Sequence, residues 1–211
     1  MNFRVYLFDL DGTLIDSVAL ILKSFHHTRL QHFGDRLPDQ YYLDILGLTL
    51  RDTFRRMVDS PDEVEAMVET YVAHNLAHHD GMVTAYSRVP EVVRELAGRG
   101  ARLGVVTRKL RDNARLGLRV VGLEDAFETV VGAEDVRRGK PDPEPVLLAL
   151  DRLGVSAADA LFVGDSPHDI ESGRRAGVKT AAATWGPFAR AALEAAKPDL
   201  WLDKPDDLLR T

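Results

Sequence analysis

The chain has 211 residues, 45% of them hydrophobic, enough to bury a real core as one domain or as a domain carrying an insertion. Lys and Arg number 27 against 33 Asp and Glu, and the resulting net charge of -6 disfavours a nucleic-acid or anionic-membrane partner, so an anionic ligand must be met by a local basic pocket. Cys is absent, which excludes disulfides and thiolate metal sites and fits a reducing cytoplasm as the expected location.

The opening MNFRVYLFDLDG lacks a basic n-region and meets two Asp early, unlike a signal peptide, and no apolar run is long enough to span a bilayer. Val5 to Phe8 predicts a first strand, followed by Asp9, Asp11 and Gly12. If the strand continues through both acids, their side chains leave on the same side. Two carboxylates about 4 Å apart repel by roughly 1 to 4 kcal/mol, so either one is protonated or a cation lies between them.

From residue 16 to residue 83 there is no strand run. Val18, Ile21, Leu22, Phe25 and Phe33 recur at helical spacing, and further helical stretches follow. A parallel crossover needs only about a dozen residues, so this segment predicts an all-helical second domain inserted after the first strand, with hinges near Thr13 to Ser17 and Asp80 to Arg88. His74 and His78 stand at i, i+4 but lack the glutamate of HExxH, and read as a polar helix face.

Beyond residue 83, Val89-Pro90 opens a helix carrying Val92, Val93 and Leu96, and Leu103 to Val106 makes a strand ending at Thr107. Thr129 to Val131 is a third strand. Lys140 lies in the loop GKPDPEP, whose Pro141 opens a helix with Val146, Leu147, Leu150 and Leu153. Leu161 to Val163 is a fourth strand, ending at Asp165, with Ser166 as helix cap before Pro167 and Asp169 four residues after Asp165. Alternating helices and continuous apolar strands predict an α/β fold, a doubly wound, Rossmann-like parallel sheet formed by residues 1–15 and 84–211, with the helical domain at 16–83.

Open sheets of this kind take ligands at the carboxyl ends of their strands, where Asp9, Asp11, Asp165 and Asp169 are expected to converge with Thr107 and Lys140. Oxygen ligands, with His168 the only imidazole nearby in sequence, suit Mg²⁺. A hydroxyl and an ammonium beside the acids suit a phosphoryl group. Two glycine patterns point elsewhere and fail. GAEDVRRGKP has Pro141 where a P-loop needs Ser or Thr, and GRGARLG follows a helix and precedes a strand, the reverse of the dinucleotide-binding order.

FDLDGTL, the strand-end Thr107, Lys140 in GKPDPEP and GDSPHD, in this order, resemble the four motifs of the haloacid dehalogenase superfamily, and the likeness covers the chain end to end. The helical insertion resembles that superfamily's helical cap domain. VTRKLRDNARLGL, FETVVGAEDV and KPDPEPVLLAL, with DGMV ahead of them, resemble the PpaX-type inorganic pyrophosphatases, neighbours of the phosphoglycolate phosphatases. The resemblance implies that Asp9 attacks phosphorus to form an aspartyl-phosphate, and that Asp11 protonates the leaving oxygen and later activates water. It implies Mg²⁺ held by the Asp9 carboxylate, the Asp11 carbonyl and Asp165, with Asp169 in support, and Thr107 and Lys140 holding the phosphoryl oxygens. Dehalogenases of the superfamily lack the second Asp, so Asp11 argues against that activity.

Arg108 stands where many of these phosphatases have Asn. A second basic group is needed to hold the extra charge of pyrophosphate, and Lys109 is the choice over Arg108, Arg111 and Arg51. The expected activity is Mg²⁺-dependent hydrolysis of pyrophosphate. A small phosphomonoester such as phosphoglycolate is the nearest alternative, and a non-catalytic phosphate-binding relative is a reading of another class.

Overall fold

The computed structural model describes residues 3–211, which fall into two compact units, one of the chain up to Asp16 with Thr84–Thr211, the other of Ser17–Val83. In the first unit, β1 (Val5–Phe8) is buried along its whole length, as expected of a strand covered on both faces. β2 (Ile15–Asp16) and β3 (Thr84–Ala85) form an antiparallel ribbon, Ile15 opposite Ala85 and Asp16 opposite Thr84. That pairing ties Asp16 to the α/β unit, so the helical unit begins one residue later than the expected 16–83.

β4 (Arg102–Val106), β5 (Thr129–Val131), β6 (Ala160–Gly164), β7 (Lys179–Ala183) and β8 (Leu200–Leu202) complete a six-stranded sheet of order β5-β4-β1-β6-β7-β8, every pairing parallel. β1 lies at its centre, with Val5 beside both Arg102 and Ala160. The chain winds outward to β5 on one side and then to β8 on the other, which makes the carboxyl end of β1 the switch point where ligands of such sheets bind. The two strands of this sheet absent from the expectations are β7, reading KTAAA with little of the usual β-branched or aromatic content, and the three-residue β8; the β2–β3 ribbon is likewise absent from them.

The strands' apolar side chains meet helices read from the same alternation. α5 (Val89–Gly98), which buries Val92, Val93 and Leu96, starts with proline in its first turn. α7 (Glu144–Leu153) presents Val146, Leu150 and Leu153 to Leu7, Val106, Val131 and Phe162 in one cluster. α6 (Arg111–Val120), α8 (Pro167–Ala176) and α9 (Arg190–Ala196) complete the unit's α-helices.

The second unit is helical throughout. α1 (Val18–Phe33) packs with α4 (Pro61–Met82), and the short α2 (Asp39–Asp44) and α3 (Leu50–Phe54) lie between them in sequence. Its core is aromatic: the Phe25 ring stacks on Tyr42 at 4.9 Å and tilts against Tyr71 at 4.7 Å, with Phe54 and Met67 in the same cluster. Ser60 caps α4, accepting from the Glu63 N–H ahead of Pro61. Phe33 departs from the helical pattern that placed it inside; it is 38% exposed, with the Arg29 guanidinium 4.0 Å above its ring. His74 stacks between His27 and His78 and hydrogen-bonds the Ser24 hydroxyl. No helix of the described residues is long and apolar enough to cross a membrane.

Candidate active site

β1 ends at Phe8, and the Leu10 carbonyl then accepts from the N–H groups of Thr13, Leu14 and Ile15 while Gly12 takes φ +86. Asp9 still extends β1, its N–H donating to the Val163 carbonyl at 2.9 Å, while Asp11 projects from the tight turn. Their repulsion is offset in part by cationic side chains. Each has its own lysine: Lys140 Nζ lies 2.8 Å from Asp9 Oδ1, and Lys109 Nζ lies 2.6 Å from Asp11 Oδ1.

Lys140, drawn from the sequence as a loop lysine, is 5% exposed. Its ammonium reaches Asp9, Asp169 Oδ1 at 2.6 Å and the Val106 carbonyl at 3.1 Å, which matches its three protons with three acceptors. Burial works against its charge, yet Asp169 and Asp9 outweigh that and hold Lys140 above its ordinary value.

Asp165 and Asp169 flank the start of α8. Asp169 Oδ2 accepts from the Ser166 N–H at 3.0 Å and the Ser166 hydroxyl at 2.6 Å, while the Ser166 hydroxyl accepts from the Asp169 N–H: a capping box whose acid also holds Lys140. Asp165, 2% exposed, accepts from the Thr13 hydroxyl at 2.8 Å. Burial, Asp169 and Asp9 push the Asp165 carboxyl well above the usual range against the pull of that hydrogen bond. Burial and Asp169 likewise push Asp9 up to about 7, with Lys140 opposing. Asp9, Asp165 and Asp169 each offer an oxygen within 4.8 Å of the others, a hard, anionic donor set suited to a metal ion, whose charge would relieve this crowding.

The remaining predicted residues take two positions. Thr107 continues from β4, its N–H donating to Val131 O at 2.9 Å and its hydroxyl accepting from the Lys109 N–H at 3.2 Å. Arg108 turns toward the main chain, its guanidinium donating to the Lys140 carbonyl. His168, beside Asp169, is lowered by burial and by Arg108.

Several residues at the site take no chemical role in the sequence analysis, where Thr13 marks only a hinge. Trp185 Nε1 donates to the Thr13 carbonyl at 3.0 Å, and a Cβ on Gly186 would lie 2.4 Å from Asp165 Cβ. The signal for both is the Gly-Pro pair in TWGPF, just beyond β7 at the sheet's carboxyl edge, and it was lost with β7 itself. The Tyr86 phenol, raised by burial and by the charges of Asp16, Asp165 and Asp11, is a further neighbour of the acids.

The model of the haloacid dehalogenase-like hydrolases matches residues 6–183. A pyrophosphatase PpaX of Bacillus cereus is 44% identical over 209 residues, which cover 99% of this chain and 96% of that protein. Among solved structures, a haloacid dehalogenase-like hydrolase of Bacteroides fragilis superposes with a TM-score of 0.92 at 28% identity, covering 98% of this chain and 100% of the other. A predicted phosphoglycolate phosphatase of Haemophilus somnus shares the fold, with a TM-score of 0.92 at 24% identity, covering 100% of this chain and 98% of the other. With its α/β core, its acids at the switch point and a family match over most of its length, the chain belongs to the haloacid dehalogenase-like hydrolases.

Proposed function

We propose that the protein is a Mg²⁺-dependent inorganic pyrophosphatase working through an aspartyl-phosphate, in the cytoplasm. The observation that carries the chemistry is the separate pairing of Asp9 with Lys140 and of Asp11 with Lys109 at one sheet edge. The choice of pyrophosphate is supported by likeness to PpaX pyrophosphatases over nearly the full length of both chains. Phosphoglycolate or another small phosphomonoester is the second reading, favoured by the fold shared with the Haemophilus protein. Membership of a hydrolase family sets aside the non-catalytic reading.

In this proposal an Asp9 carboxylate oxygen forms a bond to phosphorus as the bond to the leaving oxygen breaks. The departing electron pair is met by a proton from Asp11, which then takes a proton from the water that hydrolyses the aspartyl-phosphate. Lys140 orients Asp9 and, giving up one of its three present acceptors on binding, joins Thr107 in meeting the phosphoryl oxygens as charge builds on them. Asp9, the Asp11 carbonyl and Asp165 are the proposed holders of Mg²⁺, which when bound offsets negative charge on the phosphoryl group. Asp169, with both oxygens engaged by Lys140 and Ser166, serves as the positioning residue for this set. The helical unit Ser17–Val83 is proposed as the cap domain of the family.

The test is phosphate release from pyrophosphate, phosphoglycolate and sugar phosphates with Mg²⁺, for the wild type and Asp9→Asn. Pyrophosphate is expected to be the best substrate, and the variant is expected to be folded and inactive. Preference for phosphoglycolate would move the assignment to the second reading, and an active Asp9→Asn would end the covalent mechanism.

A further inference from the structure

Lys109 leaves a backbone that is held on every side. Its N–H donates to the Thr107 hydroxyl, its carbonyl accepts from the Ala133 N–H at 2.9 Å, and the Arg111 N–H donates to both Glu134 carboxylate oxygens at 2.9 and 3.1 Å. The turn that supplies these partners comes so close because Gly132 has no side chain; a Cβ there would lie 2.5 Å from Arg111 N. Asp135 closes the turn by accepting from the Gly132 N–H at 2.9 Å. The Lys109 side chain, only 17% exposed, ends on Asp11.

The position of that ammonium has a chemical meaning once Asp11 is the proton donor. Donor and leaving oxygen must then lie within hydrogen-bond reach, so an ammonium one further hydrogen bond away lies within roughly 6 Å of the leaving oxygen. That is where any charge carried by the leaving group arrives. Lys140 is committed to Asp9 and Asp169, on the nucleophile's side of phosphorus. We infer that Lys109 is a specificity-determining residue that selects substrates whose leaving group bears its own negative charge, exchanging Asp11 for that charge on binding, with Glu134 as its positioning residue. The inference rests on the proposed roles of Asp9 and Asp11. An uncharged leaving group offers the ammonium nothing in exchange for Asp11.

The test compares kcat/KM for pyrophosphate and phosphoglycolate, whose leaving groups are anionic at the distal end, with that for ethyl phosphate, whose alcohol leaving group needs the same proton and carries no charge of its own. Lys109→Met is expected to lower the value for the preferred anionic substrate by about 10 to 100-fold and its ratio to the ethyl phosphate value by about tenfold or more. Glu134→Ala is expected to shift the same ratio the same way, chiefly through KM. Glu134→Gln, which keeps a carbonyl oxygen for the Arg111 N–H, is expected to restore it. Should Glu134→Ala melt before it can be assayed, Lys109→Met decides alone. Equal losses on all three substrates, or no loss on any, would overturn the inference. A wild type inactive on pyrophosphate yet active on phosphoglycolate removes the pyrophosphatase assignment alone, because the second substrate reads the same lysine. A wild type active only on ethyl phosphate overturns both.

Discussion

Gly186 stands against Asp165 so closely that a Cβ on it would lie 2.4 Å from Asp165 Cβ and 2.6 Å from the Gly12 carbonyl oxygen. The loop after β7 thus fixes an acid carried at the end of β6. Gly186→Ala is expected to displace Asp165, raise the Mg²⁺ concentration needed for half-maximal rate, and lower kcat/KM by about 10 to 100-fold, since small misplacements at a reacting centre are costly. A Mg²⁺ titration of activity checks this, and an unchanged half-saturation point would contradict it.

Asp11→Asn removes the proposed proton donor while leaving Asp9 and its lysine in place. The expected loss is about 10²- to 10⁴-fold on pyrophosphate. It is expected to be smallest on p-nitrophenyl phosphate, whose leaving group departs without a proton. Equal losses on the two substrates would place Asp11 outside proton transfer.

Asp165→Asn removes one charge from a buried set in which Asp9, Asp165 and Asp169 share Lys140 as their nearest counter-charge, and the amide keeps an oxygen for the Thr13 hydroxyl. Without metal the variant is expected to melt above the wild type, each 1 kcal/mol of relief giving about 2 to 4 °C in a chain of this size. Mg²⁺ is expected to raise the wild-type midpoint and leave that of the variant nearly unchanged. Melting curves in chelator and in Mg²⁺ read both effects, and a variant less stable than the wild type in chelator would refute the charge argument.

The Asp135 side chain is 7% exposed and accepts from Arg111 at 2.9 Å, from Arg152 at 2.7 Å and from the Gly132 N–H. Burial alone would raise its carboxyl, but the Arg152 hydrogen bond, the Gly132 N–H and the two arginines hold it below the usual range. A depressed folded-state value means that its stabilisation is present above the unfolded value near 3.9 and is lost as pH falls through the folded value. Asp135→Ala is expected to cost about 2 to 3 kcal/mol at pH 7. The gap to the wild type should close as pH drops below about 4. Urea titrations across that range measure it, and a gap independent of pH would remove the ion pairs as its cause.

What could be read from the sequence was whatever ends an apolar run. Asp9, Thr107 and Asp165 each follow a strand of buried residues, and a parallel sheet brings such ends to one edge whatever the loops do. β7 escaped because alanines carry little strand signal, and Gly186 and Trp185 went with it. The Lys109–Asp11 pair spans 98 residues and depends on a clamp whose parts, Gly132 and Glu134, are ordinary turn residues in sequence. Phe33 shows the converse: it keeps helical spacing, yet the end of α1 leaves it at the surface beneath Arg29.

The helical unit enters and leaves through a ribbon only two residue pairs long, and it closes its own aromatic core on Phe25, Tyr42 and Phe54. Such an insertion is modular. The strand register that presents Asp9 and Asp165 is set by Val5, Arg102 and Ala160, none of which belongs to that unit. The acids and the aromatic core are therefore separate folding problems, solved by different stretches of the chain.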